Sequence, residues 1–195
     1  GDGFTGTPVR VAGENAGRYE ITQGTLALSS DYTLTVVAGG FTVTPRALHV
    51  SADSTTRTYG EPNPTLTASA DFLAGDGWTV TPVCTSDATS GSPVGGYPIA
   101  CSGGSNANYA PGYTPGTLTV TRRAVTVTAS DGTKVYGEAD PALGYAVTAG
   151  SLVAGDGFTG TPVRVAGENA GRYEITQGTL ALSSDYTLTV VAGGF

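Results

Sequence analysis

The sequence predicts an all-β protein, a tandem series of small antiparallel β-sandwiches strung in an extended array. Three observations predict it: the chain repeats itself, its apolar residues alternate with polar ones in short runs, and Gly and Pro interrupt it too often for helices. The repeat comes first, because a missed period misassigns the whole fold. Residues 1–41 recur letter for letter as residues 155–195, 154 positions on. A diverged repeat lies inside that one. RALHVSADSTTRTYGEPNPTL from Arg46 aligns with RAVTVTASDGTKVYGEADPAL from Arg123, 77 positions on, which is half of 154. Tyr59-Gly60 thus matches Tyr136-Gly137, and Tyr32 matches Tyr109 and Tyr186. The Gly-Asp-Gly at 75–77 matches that at 155–157 after a three-residue insertion. The unit is a 77-residue module: a C-terminal half at 1–44, a complete copy at 45–121 that holds both cysteines, and a copy at 122–195 that lacks its last strand.

Each element follows from local pattern. YEIT and YTLTVV in the first segment, ALHVSA and TLTVT in the second, and AVTVTA, YEIT and YTLTVV in the third alternate apolar residues with Thr, Ser or charged ones, as half-buried strands do. NPT, DPA, GDG, GSPVGG and APGYTPG between them read as turns. Strands at this spacing favour an antiparallel sandwich or barrel. An Ig-like sandwich of about six or seven strands per module is expected, with a β-grasp-like module as the alternative. Inward positions are Leu48, Val50, Tyr59, Leu66, Tyr97, Ile99, Tyr109, Leu118 and Val120, and in the next module Val125, Val127, Tyr136, Leu143, Tyr173, Ile175 and Tyr186. The linkers at 44–46 and 121–123 are very short, so neighbouring modules are expected to meet only near their ends. A compact globule of this length would have a radius of gyration of about 16 Å, and an extended array a larger one.

Composition excludes several functions. Lys plus Arg number 9 and Asp plus Glu 16, a net charge of −7, whereas sequence-independent binding of nucleic acid needs clustered cations. Charged residues make up 13% of the chain, too few for charge-driven disorder. Apolar runs such as LTVVAGGF fall far short of the roughly 20 residues of a membrane helix, and no signal peptide is evident. The chain contains no Met, so it reads as an excerpt or a processed product, a window cut from a longer repeating polypeptide.

The pattern VTA…KVYGEADPAL…GSLVAGDGFTG…AGENAGRYEITQGTL…DYTLTV resembles the MBG domain of the YGX type. It carries Tyr136-Gly137, Asp140-Pro141, Gly155-Asp156, Gly167-Glu168-Asn169, Gly171, Tyr173, Ile175 and Tyr186 in the family's order. Residues 45–121 match more loosely, since CTSDATSGSPVGGY stands where AGENAGRY would. The resemblance implies a mostly-β, glycine-rich module of bacterial surface proteins and secreted adhesins. That means an extracellular spacer or adhesive repeat with no catalytic residues and no cofactor. Its partners would be adjacent repeats or other copies of the polypeptide, with a host or cell-surface glycan or protein as a further candidate.

In an exported chain, Cys84 and Cys101 are expected to form a disulfide, the alternative being two reduced, buried thiols. The bridge would pin a Gly- and Ser-rich loop. His49, the sole histidine, has no triad partners and no G-x-S-x-G elbow accompanies it. The acidic pairs Asp53 with Glu61 and Glu138 with Asp140 suggest glycosidase carboxylates, but a catalytic site repeated every 77 residues is unusual. Tyr-Gly reads instead as a bulge or turn in which the ring packs and the glycine takes positive φ. Asp76 and Asp156 sit in Gly-Asp-Gly loops that read as turns, since calcium needs six to eight oxygens. No metal site is expected. Trp78 and Tyr113 are the candidates for stacking a sugar. Trp78 stands where its sister has Phe158, whereas Tyr113 has no aromatic counterpart.

Overall fold

The computed structural model describes residues 3–195, and among these every regular element is a strand. Contacts group the chain into two compact units that cut across the 77-residue repeat. One comprises Gly1–Ala52, Thr67–Thr85 and Ala100–Pro115, and the other Asp53–Leu66, Ser86–Ile99 and Gly116–Phe195. The segment 45–121 therefore contributes strands to both.

In the first unit, β1 (Val9–Arg10), β2 (Gly17–Thr22) and β3 (Gly39–Val43) form an antiparallel sheet in that order. A second sheet has β4 (Arg46–Ala52) at its centre. Strand β6 (Ala68–Ala70) lies antiparallel on one side and β9 (Tyr109–Thr114) parallel on the other. The alternation of RALHVSA aims Leu48 and Val50 inward, 2% and 0% exposed, against Tyr109. Phe72 closes this core, with Trp78 and Tyr109 both edge-on to its ring at 4.9 and 5.0 Å between centroids. Such pairs add about 0.5–1.5 kcal/mol beyond area burial. Strand β7 (Val83–Thr85) pairs antiparallel with residues 100–102 of β8 (Gly95–Ser102).

In the second unit, β10 (Gly116–Thr121) pairs parallel with β5 (Thr55–Thr58) and antiparallel with residues 95–99 of β8. Strand β11 (Arg123–Ala129) is flanked by β12 (Tyr145–Ala149), antiparallel, and β15 (Tyr186–Val191), parallel. A further antiparallel sheet runs β13 (Val163–Arg164), β14 (Glu174–Thr176), β16 (Gly193–Gly194). The core gathers Tyr59, Val120, Val125, Val127, Leu180 and Tyr186.

The all-β class and its small sheets are as the sequence leads one to expect, but the pairing is mixed. Each repeat's opening strand runs parallel to a strand about 60 residues later, and a connection that long permits a parallel partner. Of the inward positions, Leu48, Val50, Tyr59, Ile99, Tyr109, Leu118, Val120, Val125, Val127, Ile175 and Tyr186 are buried, and Leu66, Tyr97, Leu143 and Tyr173 half-buried. Tyr136 is the exception. It is 73% exposed, whereas its counterpart Tyr59 is 7% exposed.

Candidate functional site

A cluster of side-chain hydrogen bonds between successive repeats centres on Tyr59. Backbone pairing carries β5 up to Thr58, and Tyr59 N–H then donates to the Thr121 carbonyl at 2.8 Å. There the chain turns on Gly60 at φ +86°. Only glycine suits this point. Besides the left-handed backbone, a Cβ on Gly60 would stand 2.3 Å from Val153 Cγ2. The turn delivers the Tyr59 ring edge-on to Tyr186, centroids 5.5 Å apart at 81°.

Both phenols converge on one carboxylate. Tyr186 donates to Asp156 Oδ2 at 2.6 Å and Tyr59 to the same oxygen at 3.1 Å, while Val153 N–H donates to the Tyr186 oxygen at 2.8 Å. Asp156 is placed by its Gly-Asp-Gly turn, closed by Asp156 N–H to the Val153 carbonyl at 3.0 Å. Burial first, then the bond to Asp156, raises the Tyr59 phenol above its ordinary value, and the same causes act on Tyr186. Arg123 completes the site. Its guanidinium donates to the Tyr59 carbonyl at 3.2 Å and Glu61 Oε1 at 2.8 Å, and is itself held by Ser151. The Tyr-Gly-Glu of one repeat is thus seated on the Arg, Val and Gly-Asp-Gly of the next. A second tie accompanies it, since Val94 N–H donates to Asp185 Oδ1 at 2.8 Å.

The tyrosine–aspartate pair recurs one repeat earlier. Tyr109 donates to Asp76 Oδ2 at 2.6 Å and accepts from Leu73 N–H at 3.2 Å. Arg46, Leu73, Asp76, Asn108 and Tyr109 line an open groove. Its second tie is present, Ala16 N–H donating to Asn108 Oδ1 at 2.7 Å. At the far end, Tyr136 and Gly137 (φ +89°) keep the turn, with nothing within 4 Å of a Cβ on Gly137.

Within the last repeat, four charges tie its front half to its back half. Arg164 grips both Asp140 oxygens at 2.8 and 3.1 Å and Glu168 at 2.7 Å, and Lys134 reaches Asp140 at 2.7 Å and Glu168 at 2.6 Å. The Arg164 contact first, then Lys134, holds the Asp140 carboxyl down to about 2. The Arg164 guanidinium also lies 5.1 Å from the ring centroids of both Tyr173 and Phe195, within cation–π range. In the middle repeat Arg57 and Asn63 stand at the Lys134 and Asp140 positions. Arg57 is only 7% exposed and bonds the Asn63 side chain and the Thr58 and Thr89 carbonyls.

The remaining singled-out residues are placed as follows. Cys84 and Cys101 face each other across β7 and β8 and are bonded, S–S 2.02 Å. Trp78 and Tyr113 are both half-buried against the Leu48 core, and Gly104 N–H donates to the Tyr113 oxygen at 2.8 Å. His49 is exposed, its ring nitrogens 3.4 Å from Ser51 Oγ and 3.3 Å from Thr114 Oγ1. Glu61 is paired with Arg123 and Asp140 with Lys134 and Arg164. Asp76 and Asp156 serve as acceptors for tyrosine hydroxyls, and among the described residues no three His, Cys, Asp or Glu side chains cluster as metal ligands would. The Arg123, Val153 and Asp156 seat was missed by sequence reasoning. Its signal was there in the 77-residue phase of Tyr-Gly and the late tyrosine, with Gly-Asp-Gly recurring three residues out of that phase.

These features define a tandem all-β repeat protein in which the middle repeat is seated on the last. Residues 1–42, 48–119 and 125–195 match the family model of the MBG domain (YGX type), and the chain belongs to that family. No curated protein matches the chain.

Proposed function

We propose that the chain is a non-enzymatic structural segment of a bacterial extracellular fibre or adhesin stalk, with repeats at 1–44, 45–121 and 122–195, whose length is set by the number of repeats. The observation that supports this most is the seating of Tyr59-Gly60-Glu61 on Arg123, Val153 and Asp156. Nearest-neighbour coupling of that kind makes stability and length additive along an array. The disulfide suits an oxidising compartment outside the cytosol. Its partners on this reading are adjacent repeats.

Imaging chains with two, four and eight copies of the 77-residue unit tests the proposal, a constant length increment per repeat being the expected outcome. A glycan array is the complementary experiment. Binding that is lost on changing Trp78 and Tyr113 to Ala would replace the stalk with a glycan-binding adhesin module using the loop 84–101.

A further inference from the structure

Successive repeats are tied at a second point, and there the two kinds of repeat differ. In each repeat a tyrosine hydroxyl donates to the carbonyl four residues earlier: Tyr19 to Asn15 at 2.7 Å, Tyr97 to Pro93 at 2.8 Å and Tyr173 to Asn169 at 2.8 Å. The tyrosine thus clamps the tip of a loop and fixes the residue that follows. In the first and last repeats that tip reads Glu-Asn-Ala, and in the middle one Ser-Pro-Val. The loops also differ in length, since nine positions separate Arg164 from Tyr173 and thirteen separate Cys84 from Tyr97.

Two of these tips offer a backbone N–H to the repeat that follows. Ala16 N–H donates to Asn108 Oδ1 at 2.7 Å, and Val94 N–H to Asp185 Oδ1 at 2.8 Å. Asn108 and Asp185 lie 77 positions apart. Their backbones are held alike, the Asn108 carbonyl by Arg46 N–H at 2.8 Å and the Asp185 carbonyl by Arg123 N–H at 2.9 Å. Only the side chain changes. Asn108 also donates through Nδ2 to Asn15 Oδ1 at 2.9 Å. A carboxylate in its place would have no proton for that acceptor, and it would stand at the groove that Glu14 lines while pairing with Arg10. At the other joint Pro93 stands where Asn15 does and Ser92 where Glu14 does. The proline side chain needs no donor and the tip brings no acid, so a carboxylate that accepts the single N–H is satisfied there.

We infer that the residue at 108 and 185 selects the kind of repeat that precedes it. Asparagine receives the Glu-Asn-Ala tip, and aspartate rejects it through like charge and an unmet acceptor. Both short-loop repeats carry the aspartate, as Asp31 and Asp185, and the long-loop repeat carries Asn108. A short-loop repeat therefore seats poorly on another of its kind, and the partner that fits between two of them is the long-loop repeat with the disulfide. This selection acts at joints within the chain and holds wherever the chain is displayed.

The test uses the oxidised full chain, with amide exchange read residue by residue by NMR. Asn108→Asp sets a short-loop tip on an aspartate. It should speed exchange of the Ala16 N–H roughly three- to tenfold, the worth of one hydrogen bond together with a surface charge repulsion, and leave Val94 unchanged. Adding Glu14→Gln, or about 0.5 M sodium chloride, should recover a large part of the lost protection. Asp185→Asn sets a long-loop tip on an asparagine. It should change Val94 exchange by no more than about twofold, since the amide oxygen still accepts. Ala16 exchange within about twofold of wild type in the Asn108→Asp chain would overturn the inference, as would a loss that neither Glu14→Gln nor salt reduces. So would an effect of Asp185→Asn as large as that of Asn108→Asp, which would mean that either change merely disturbs its own joint.

Discussion

Tyr59 and Tyr136 occupy the same place in successive repeats, in the same Tyr-Gly-Glu turn with the same positive φ on the glycine, 86° and 89°. One ring is buried against Tyr186 and Asp156, and the other is 73% exposed. The turn is therefore made locally, while the burial of its tyrosine is a property of the following repeat. The middle and last repeats also differ in how each holds its own loop. The middle one uses a disulfide and the buried Arg57, and the last one uses the Arg164, Lys134, Asp140 and Glu168 cluster.

The sharpest test of this contrast is truncation of each ring. Tyr59→Ala should lower stability by about 3–5 kcal/mol, as for other buried aromatics, and Tyr136→Ala should change it by no more than about 0.5 kcal/mol, both read by urea denaturation. Equal losses would mean that Tyr136 is covered in solution. Next in size, reducing Cys84–Cys101 should cost about 3 kcal/mol, the chain-entropy value for a loop of this length. Hydrogen exchange should place the loss in the middle repeat and leave β11 and β15 protected.

Smaller again is the glycine pair. Gly60→Ala should cost roughly 2–3 kcal/mol, since left-handed strain is joined by collision with Val153, and Gly137→Ala about 1 kcal/mol from the backbone alone. Comparable losses would place Gly137 against a covering surface.

The smallest effect is acid sensitivity confined to the last repeat. The Asp140 carboxyl falls from its ordinary 3.8 to about 2, and Glu168 is lowered too, by Lys134 first and then Arg164. A depressed folded-state value stabilises above the unfolded one, so the contribution is complete above about pH 4 and lost as the pH falls toward 2. Asn63, at the Asp140 position of the middle repeat, has no such titration. Asp140→Asn should flatten the acid profile of β11–β15 exchange protection, and high salt should weaken the effect of the wild-type cluster. A profile unchanged by the substitution would remove Asp140 from that role.

Where strands lie was legible because alternation marks a half-buried edge-on pattern. ALHVSA, AVTVTA and TLTVT fall within β4, β11 and β10. Strand direction was not legible, because a period of two reports which face is covered and says nothing of the partner's polarity. YTLTVV shows the limit most clearly. The same six letters form β15 beside Arg123–Thr128 and no strand at 32–37, so no local signal can separate the two outcomes. The tyrosine–aspartate seat and the four-charge cluster escaped for a related reason. Asp140 and Arg164 are 24 positions apart, and nothing in their spacing announces the contact.

The parallel ladders have a mechanical consequence. The chain enters the last repeat's ladder at Arg123 and leaves it at Val191, with six register pairs between β11 and β15, and β4 and β9 repeat the arrangement with six more. Tension applied along the polypeptide pulls the start of one strand and the end of its parallel neighbour in opposite directions. The ladder is then loaded in shear, with all its hydrogen bonds strained together, whereas a hairpin pulled at its open end unzips one bond at a time. Rupture under load is governed by the unfolding rate, and the middle and last repeats each carry such a shear-loaded ladder.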